Sequence, residues 1–165
     1  MKWFWLAVSA FALIAACSSG SVSRERDAKS RGAVVSRAPV AANLEQADPR
    51  VRWEQRSMLR DDFDCDGVAD LAALGRVEQK IVVGLARAAV DSPDLLEFAI
   101  DPAAQAGICT EPASLSIEPQ DRPDGELEGF RPSRSCKGLV LSDGECDPVH
   151  IYWNHERKRP GWWRN

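Results

Sequence analysis

One short segment of this 165-residue chain has the residue types and the spacing of a metal-binding loop. The run DFDCDGVAD at 62–70 places acids at its first, third, fifth and ninth positions and a glycine at its sixth. Calcium is a hard cation that takes roughly six to eight oxygen ligands, and alternate acids on a tightly turning loop converge on one point. We therefore predict a structural calcium ion at this loop. Its predicted ligands are the carboxylates of Asp62, Asp64, Asp66 and Asp70 and the backbone carbonyl of Val68.

The residues that follow the loop exclude one family of calcium sites and resemble another. An EF-hand needs a glutamate at the twelfth loop position and a helix on each side, but Ala73 holds that position and strand-like sequence follows it. Segment 59–86 instead resembles the FG-GAP and VCBS-type loops, in which this pattern lies between two β-strands. The resemblance implies a strand–turn–strand unit made of 71–74 and 81–85. A propeller is excluded because the chain holds one copy of the motif.

Five cysteines are present, and the first of them ends a second motif. Lys2 precedes an uncharged run, 3–16, which is shorter than the about 20 apolar residues of a membrane-spanning helix and fits a secretory signal. The four residues 14–17, Ile-Ala-Ala-Cys, resemble the bacterial lipobox. That resemblance implies cleavage before Cys17 and attachment of palmitate and other acyl chains to it. A plain signal with a chance cysteine, or an N-terminal core helix, is the alternative.

Two features resemble those of Gram-negative lipoproteins. Ser18, rather than an acid, follows the lipobox cysteine, and this resemblance implies an outer-membrane lipoprotein that faces the periplasm. The tail 144–164 resembles that of uncharacterised proteobacterial lipoproteins, which implies no particular activity.

The other four cysteines predict two disulfide bonds in an exported chain. They are Cys65, Cys109, Cys136 and Cys146. If Asp143-Gly144 makes a two-residue hairpin turn, Cys136 and Cys146 lie about 17 Å apart, at about 3.3 Å per residue, which is too far for a bond. Of the two pairings that remain, we favour Cys109–Cys136 with Cys65–Cys146. The spacing also excludes a zinc site, because it contains no close cysteine pair.

Candidate catalytic groups are few, so the chain is predicted not to be an enzyme. His150 and His155 are the only histidines, and their odd spacing puts them on opposite faces of a strand. No nucleophile elbow or phosphate-binding loop is present in the sequence. The alternative is a hydrolase of a cell-envelope polymer that uses residues near Asp147 and His150, with Asp143 in the same pocket.

Aromatic residues near the C-terminus are candidates for binding. They are Tyr152, Trp153, Trp162 and Trp163. They either form a platform for a glycan or peptide or close the core of a small sheet, and we favour the core.

Short apolar segments separated by turn residues indicate strands. The segments are 70–74, 80–86, 95–100, 114–117, 138–141, 149–153 and 161–163. In 149–154 the odd-numbered residues share one apolar face, a period of two that is typical of a half-buried strand. We therefore predict a mainly β fold: a small antiparallel sheet domain with long loops, stapled by disulfides, after a disordered N-terminal tether.

Composition divides the chain into three parts. Residues 1–16 are predicted to be a signal peptide, 17–50 a lipidated disordered tether and 51–165 the calcium-loop β domain. The tether is rich in serine, alanine and scattered charge, with only a weak helical pattern around 41–46.

The charge of the chain is divided unevenly between its parts. Residues 18–60 hold nine Lys/Arg against five Asp/Glu, whereas 61–165 hold eleven against twenty. An acidic domain lacks the basic face that neutralises phosphates, so nucleic acid is excluded as a partner. The predicted partners are the membrane, through the lipid anchor, and an envelope protein or glycan. The sequence thus predicts a non-catalytic, calcium-stabilised envelope lipoprotein that serves as a binding or structural module.

Overall fold

The computed structural model describes residues 37–104, 107–121 and 126–165, with side chains from residue 42 onward. The signal peptide, Cys17 and the tether up to residue 36 lie outside the described residues. One α-helix, one short 3₁₀ helix (Gln55–Ser57) and nine strands are described: α1 (Arg37–Ala47), β1 (Arg52–Trp53), β2 (Leu59–Asp61), β3 (Asp70–Val77), β4 (Lys80–Ala86), β5 (Asp94–Ala99), β6 (Ser114–Gln120), β7 (Ser133–Ser142), β8 (Val149–Asn154) and β9 (Arg159–Trp163). Within this part of the chain, no helix is both long and apolar enough to cross a bilayer. The mainly β prediction is confirmed.

The strands divide between two antiparallel sheets. The first has the order β1-β3-β4-β5, with β2 also paired to β3, and the second has the order β6-β7-β8-β9. In the first sheet, β3 and β4 form the predicted hairpin, with Val77 opposite Lys80. Each of the seven apolar segments noted in the sequence lies largely within one of the strands β3 to β9.

One hydrophobic core lies between the two sheets. The first sheet contributes Ala72, Leu74, Ile81, Val83, Leu85 and Phe98, and the second contributes Leu115, Leu139, Leu141, Val149 and Ile151. Phe63, from the loop between β2 and β3, and Ile108 are buried in the same cluster. The alternation of side chains along each strand supplies these inward-facing residues, as in a sandwich of two sheets.

A second, smaller core lies on the other face of the first sheet, under α1. Leu44 is fully buried there and packs with Leu71, Ala73 and Ala86. The sheet is lined with small residues at this point. A Cβ atom on Gly84 would lie 2.6 Å from the Trp53 ring and 2.7 Å from Leu44, so only glycine allows this close approach.

The helix lies within the segment that was predicted to be a tether, at the weak helical pattern noted around 41–46. Residues 17–50 were expected to be a disordered tether, but α1 lies inside that range and packs on the first sheet through Leu44. Its own sequence has little amphipathic pattern, so its burial against the sheet, rather than intrinsic propensity, holds it in place.

The disulfide pairing differs from the predicted one. The bonds are Cys65–Cys136 and Cys109–Cys146, so the favoured pairing, Cys109–Cys136 with Cys65–Cys146, is wrong. The disfavoured Cys136–Cys146 bond is indeed not formed.

The hairpin argument behind that pairing assumed a turn that is too short. Leu141 pairs with Val149 rather than with Cys146, so six residues, 143–148, connect β7 to β8. The longer loop frees Cys146 to reach Cys109.

Candidate functional site

The acidic loop at 62–69 connects two strands, β2 and β3, that pair with each other. β2 ends at Asp61 and β3 begins at Asp70, and these two residues lie opposite each other. The loop curls back within eight residues because Cys65 and Gly67 adopt left-handed backbone angles, with φ of 64° and 85°. Glycine is the residue that adopts such an angle without strain, which explains its place in the motif.

Asp70 is the buried centre of the loop. Its side chain is only 1% exposed. Oδ2 accepts hydrogen bonds from the N–H groups of Phe63 and Asp64, at 3.0 and 3.2 Å, and Oδ1 accepts one from Ala88 at 3.1 Å. The carboxylate therefore fixes the start of the loop against β3.

Three of the predicted ligands lie close together. Asp62, Asp64 and Asp70 each have a carboxylate oxygen within 4.8 Å of the others. Two oxygens on opposite sides of a calcium ion are about 4.8 Å apart at a bond length of about 2.4 Å, so the three fit one coordination sphere.

A fourth predicted ligand, Asp66, uses its carboxylate differently. Asp66 does not belong to the group formed by Asp62, Asp64 and Asp70. Its Oδ1 instead accepts a hydrogen bond of 2.7 Å from the backbone N–H of Val68. The fifth predicted ligand, the backbone carbonyl of Val68, stays a prediction; the residue itself is 47% exposed.

One oxygen in the cluster lacks a partner. Oδ2 of Asp62 accepts the N–H of Gly67 at 3.0 Å, but Oδ1 is buried and has no hydrogen-bond partner among the described residues. A buried carboxylate oxygen is costly to leave unpaired, and a bound cation satisfies it.

The pKa values of the cluster follow from this crowding. Burial, followed by repulsion from Asp70 and Asp66, raises the pKa of Asp64 to about 6. Burial also raises the pKa of Asp70, although its three backbone hydrogen bonds oppose the shift.

Among the described residues, Arg87 is the cationic side chain within ion-pairing distance of this cluster. Its Nη1 lies 3.9 Å from Oδ2 of Asp64, and its Nε donates to Asp94 at 3.1 Å. Its guanidinium carbon is 5.0 Å from the centre of the Trp153 ring. Arg87 therefore neutralises only part of the charge, because it is shared with Asp94.

The residues considered for a hydrolase do not meet. Burial alone would raise the pKa of Asp143, but four backbone N–H groups, of Cys146, Glu145, Cys109 and Thr110, hold it at about 2. Asp147 is exposed. The carboxylate that meets His150 belongs to Glu118, whose oxygens are both 3.0 Å from Nδ1.

One other group of candidate metal ligands among the described residues lacks the chemistry to bind a metal. Asp143 lies near Sγ of Cys109 and Cys146, but those two sulfurs are joined in a disulfide and are not thiolates. His155 follows the end of β8, in a turn where its N–H donates to the carbonyl of Gly129. β8 ends at Asn154, between the two histidines, so the prediction that they lie on opposite faces of one strand does not apply to His155.

The C-terminal aromatic residues do not form one platform. Trp153 is buried, which agrees with the favoured core interpretation, and Tyr152 is 8% exposed. Trp162 is 38% exposed and lies edge-on to Phe98. Trp163 lies on the opposite face of β9, where its ring stacks on His150.

Sequence reasoning missed Glu118, which contacts His150, and Gln120, which is buried against Cys65. The available signal was the alternation that places Ser114, Ser116 and Glu118 on one strand face. It does not extend to Gln120, because the register of β6 shifts between Pro119 and Gln120. The side chains opposite that face depend on the register with β7, which the pattern does not specify. No protein-family model, curated protein or solved structure matches this chain.

Proposed function

We propose that this chain is a non-catalytic, calcium-stabilised envelope lipoprotein that serves as a binding or structural module. The proposal of a calcium ion is supported by the close approach of the Asp62, Asp64 and Asp70 carboxylates. It is also supported by the buried Oδ1 of Asp62, which has no hydrogen-bond partner among the described residues. Three acids and one shared arginine leave a net negative charge in a small volume. A hard divalent cation relieves that repulsion.

The role of the ion is to stabilise the fold. The loop contributes Phe63 to the main core, and the Cys65–Cys136 disulfide joins it to the second sheet. The backbone N–H of Lys137 also donates to the carbonyl of Asp62 at 2.9 Å. An ion that orders the loop therefore stabilises the contact between the two sheets. Asp66 and the Val68 carbonyl complete the proposed ligand set.

Thermal unfolding with and without calcium tests the proposal. An ion that binds only the folded chain stabilises it by RT ln(1 + [L]/Kd), about 2.7 kcal/mol at a hundred-fold excess over Kd. For a Kd near 10⁻⁴ M, typical of extracellular sites, about 10 mM calcium should raise the midpoint by roughly 10 °C relative to chelator. Magnesium should raise it less, because it dehydrates reluctantly.

Matched variants locate the effect. Asp62→Asn and Asp64→Asn should remove the calcium-dependent rise, whereas Asp91→Asn, at an exposed acid outside the loop, should keep it. Equal midpoints in calcium and chelator for the native chain, with both disulfides intact, would show that the loop is only an acidic turn.

The envelope location rests on the lipobox-like segment 14–17, which lies outside the described residues. We propose that acyl chains on Cys17 hold the domain at the outer membrane, since more than one chain makes attachment stable. A Cys17→Ser variant should no longer incorporate labelled palmitate. Incorporation that continued in that variant would place the lipid elsewhere.

A further inference from the structure

The outer face of the second sheet carries a pocket that is separate from the acidic loop. Its volume is about 190 Å³, and its lining includes Glu118, Gln120, Phe130, His150, Tyr152 and Trp163. This mixture of carboxylate, amide, imidazole and aromatic rings is typical of a small-molecule site with a few converging polar groups.

Strand register assembles the pocket. Glu118 of β6 lies opposite Gly138 of β7, and a Cβ atom at Gly138 would lie 3.3 Å from Cγ of Glu118. The missing side chain therefore leaves space beside the carboxylate. His150 of β8 lies opposite Trp163 of β9, and their rings stack with centres 4.2 Å apart at 15°.

Gln120 is the feature that most clearly requires a ligand. The residue is 2% exposed, and its Nε2 has no hydrogen-bond partner among the described residues. Its Oε1 lies 3.4 Å from Sγ of Cys65, but that sulfur belongs to a disulfide and has no proton to donate. The amide is thus buried without a good partner on either side, a rare condition in folded proteins.

The polar groups of the pocket select the chemistry of its ligand. No lysine or arginine is part of the described lining, whereas Glu118 and Asp121 are, so these described residues disfavour an anion. A cation suits the carboxylates of Glu118 and Asp121 but leaves the Gln120 N–H without an acceptor. A hydroxyl group both donates and accepts hydrogen bonds. One hydroxyl can therefore donate to the Glu118 carboxylate while its neighbour accepts the N–H of Gln120.

The aromatic lining favours a ring with an apolar face. Phe130 and Tyr152 meet edge to face, with ring centres 5.6 Å apart, and Trp163 lies nearby against His150. A pyranose presents C–H groups on its faces and hydroxyls at its edge, and the volume accommodates about one such ring. We propose that this pocket binds one sugar residue of a carbohydrate. The inference rests on the proposed binding role and supplies its ligand class.

Nuclear magnetic resonance on the ¹⁵N-labelled full chain, with both disulfides formed, tests the inference. The probes are trisaccharides of glucose, mannose and N-acetylglucosamine, each at about 10 mM, ten-fold above a Kd of about 1 mM. At least one probe should shift the side-chain N–H signals of Gln120 and Trp163. Choline and Nα-acetyl-lysine serve as cationic probes.

Two neighbouring tryptophans provide a matched pair of variants. Trp163→Leu and Gln120→Met should each weaken binding at least ten-fold, whereas Trp162→Leu, on the opposite face of β9, should leave it unchanged. No shift with any saccharide in the folded chain, or shifts with the cationic probes alone, would overturn the sugar site. Equal loss in Trp162→Leu and Trp163→Leu would do the same. Calcium-dependent melting is measured separately, so the calcium proposal and the sugar site can fail independently.

Discussion

Asp143 is an anchoring carboxylate at the start of the loop between β7 and β8. Its Oδ1 accepts the N–H groups of Glu145 and Cys146 at 3.0 and 2.9 Å. Its Oδ2 accepts those of Cys109 and Thr110. One side chain thus holds the backbone on both sides of the Cys109–Cys146 disulfide.

These bonds make a prediction about pH. The pKa of Asp143 is about 2 in the folded chain, below the about 3.9 of an unfolded aspartate. Its contribution to stability is therefore complete above about pH 4 and is lost as the pH falls through 2. Asp143→Ala should lower the free energy of unfolding by about 1–3 kcal/mol at pH 7.

Urea unfolding at a series of pH values measures this difference, which should shrink toward pH 2. Asp147→Ala, at an exposed neighbour, is the control and should change stability little. A deficit in Asp143→Ala that stays constant down to pH 2 would contradict the charged role of the carboxylate.

Single residues also show the limit of sequence reasoning. The acids of 62–70 lie close in the chain, so local spacing was enough to predict that Asp62, Asp64 and Asp70 converge. Glu118 and His150 are 32 positions apart and meet only through the pairing of three strands. No local pattern contains that register, so the pocket could not be predicted.

At the scale of elements, α1 is the part whose packing is most easily tested. Leu44 is fully buried against the first sheet, whereas the adjacent Glu45 is exposed. Leu44→Ala should reduce the free energy of unfolding by about 2–5 kcal/mol, because it leaves a cavity over Gly84 and Trp53.

Denaturant unfolding measures that loss, and Glu45→Ala should stay within about 0.5 kcal/mol of the native chain. Equal stability of both variants would mean that the helix does not contribute to the folded state.

Elements differ in how strongly the sequence specifies them. Strands β3 to β9 were predictable because their apolar segments are short and bounded by turn residues, whereas none of those segments covers β1 or β2. The helix was not, because its sequence lacks a clear apolar stripe and one buried leucine fixes it. The division into two sheets depends on long-range pairing, which periodicity does not report.

At the scale of the whole molecule, the two sheets are joined by more than their shared core. The Cys65–Cys136 bond connects the acidic loop, at the end of the first sheet, to β7 of the second. Because the proposed calcium ion and this bond would act on the same loop, we expect the native chain to unfold in one transition that shifts with calcium as a unit.

The order of the bonded cysteines along the chain has a topological consequence. The two disulfide-closed segments overlap along the chain, because Cys109 lies inside the segment closed by Cys65–Cys136 and its partner Cys146 lies outside it. A cut anywhere between residues 65 and 146 therefore leaves the two pieces covalently attached. Cleavage after every lysine of the unfolded, unreduced chain gives three cysteine-bearing peptides from this region, 30–80, 81–137 and 138–158.

Mass spectrometry of that digest should show the three peptides as one species, which separates only on reduction. The alternative pairing of Cys109 with Cys136 would instead release 81–137 by itself. After a protease has cut the backbone once between residues 65 and 146, the two fragments therefore stay joined by a disulfide bond.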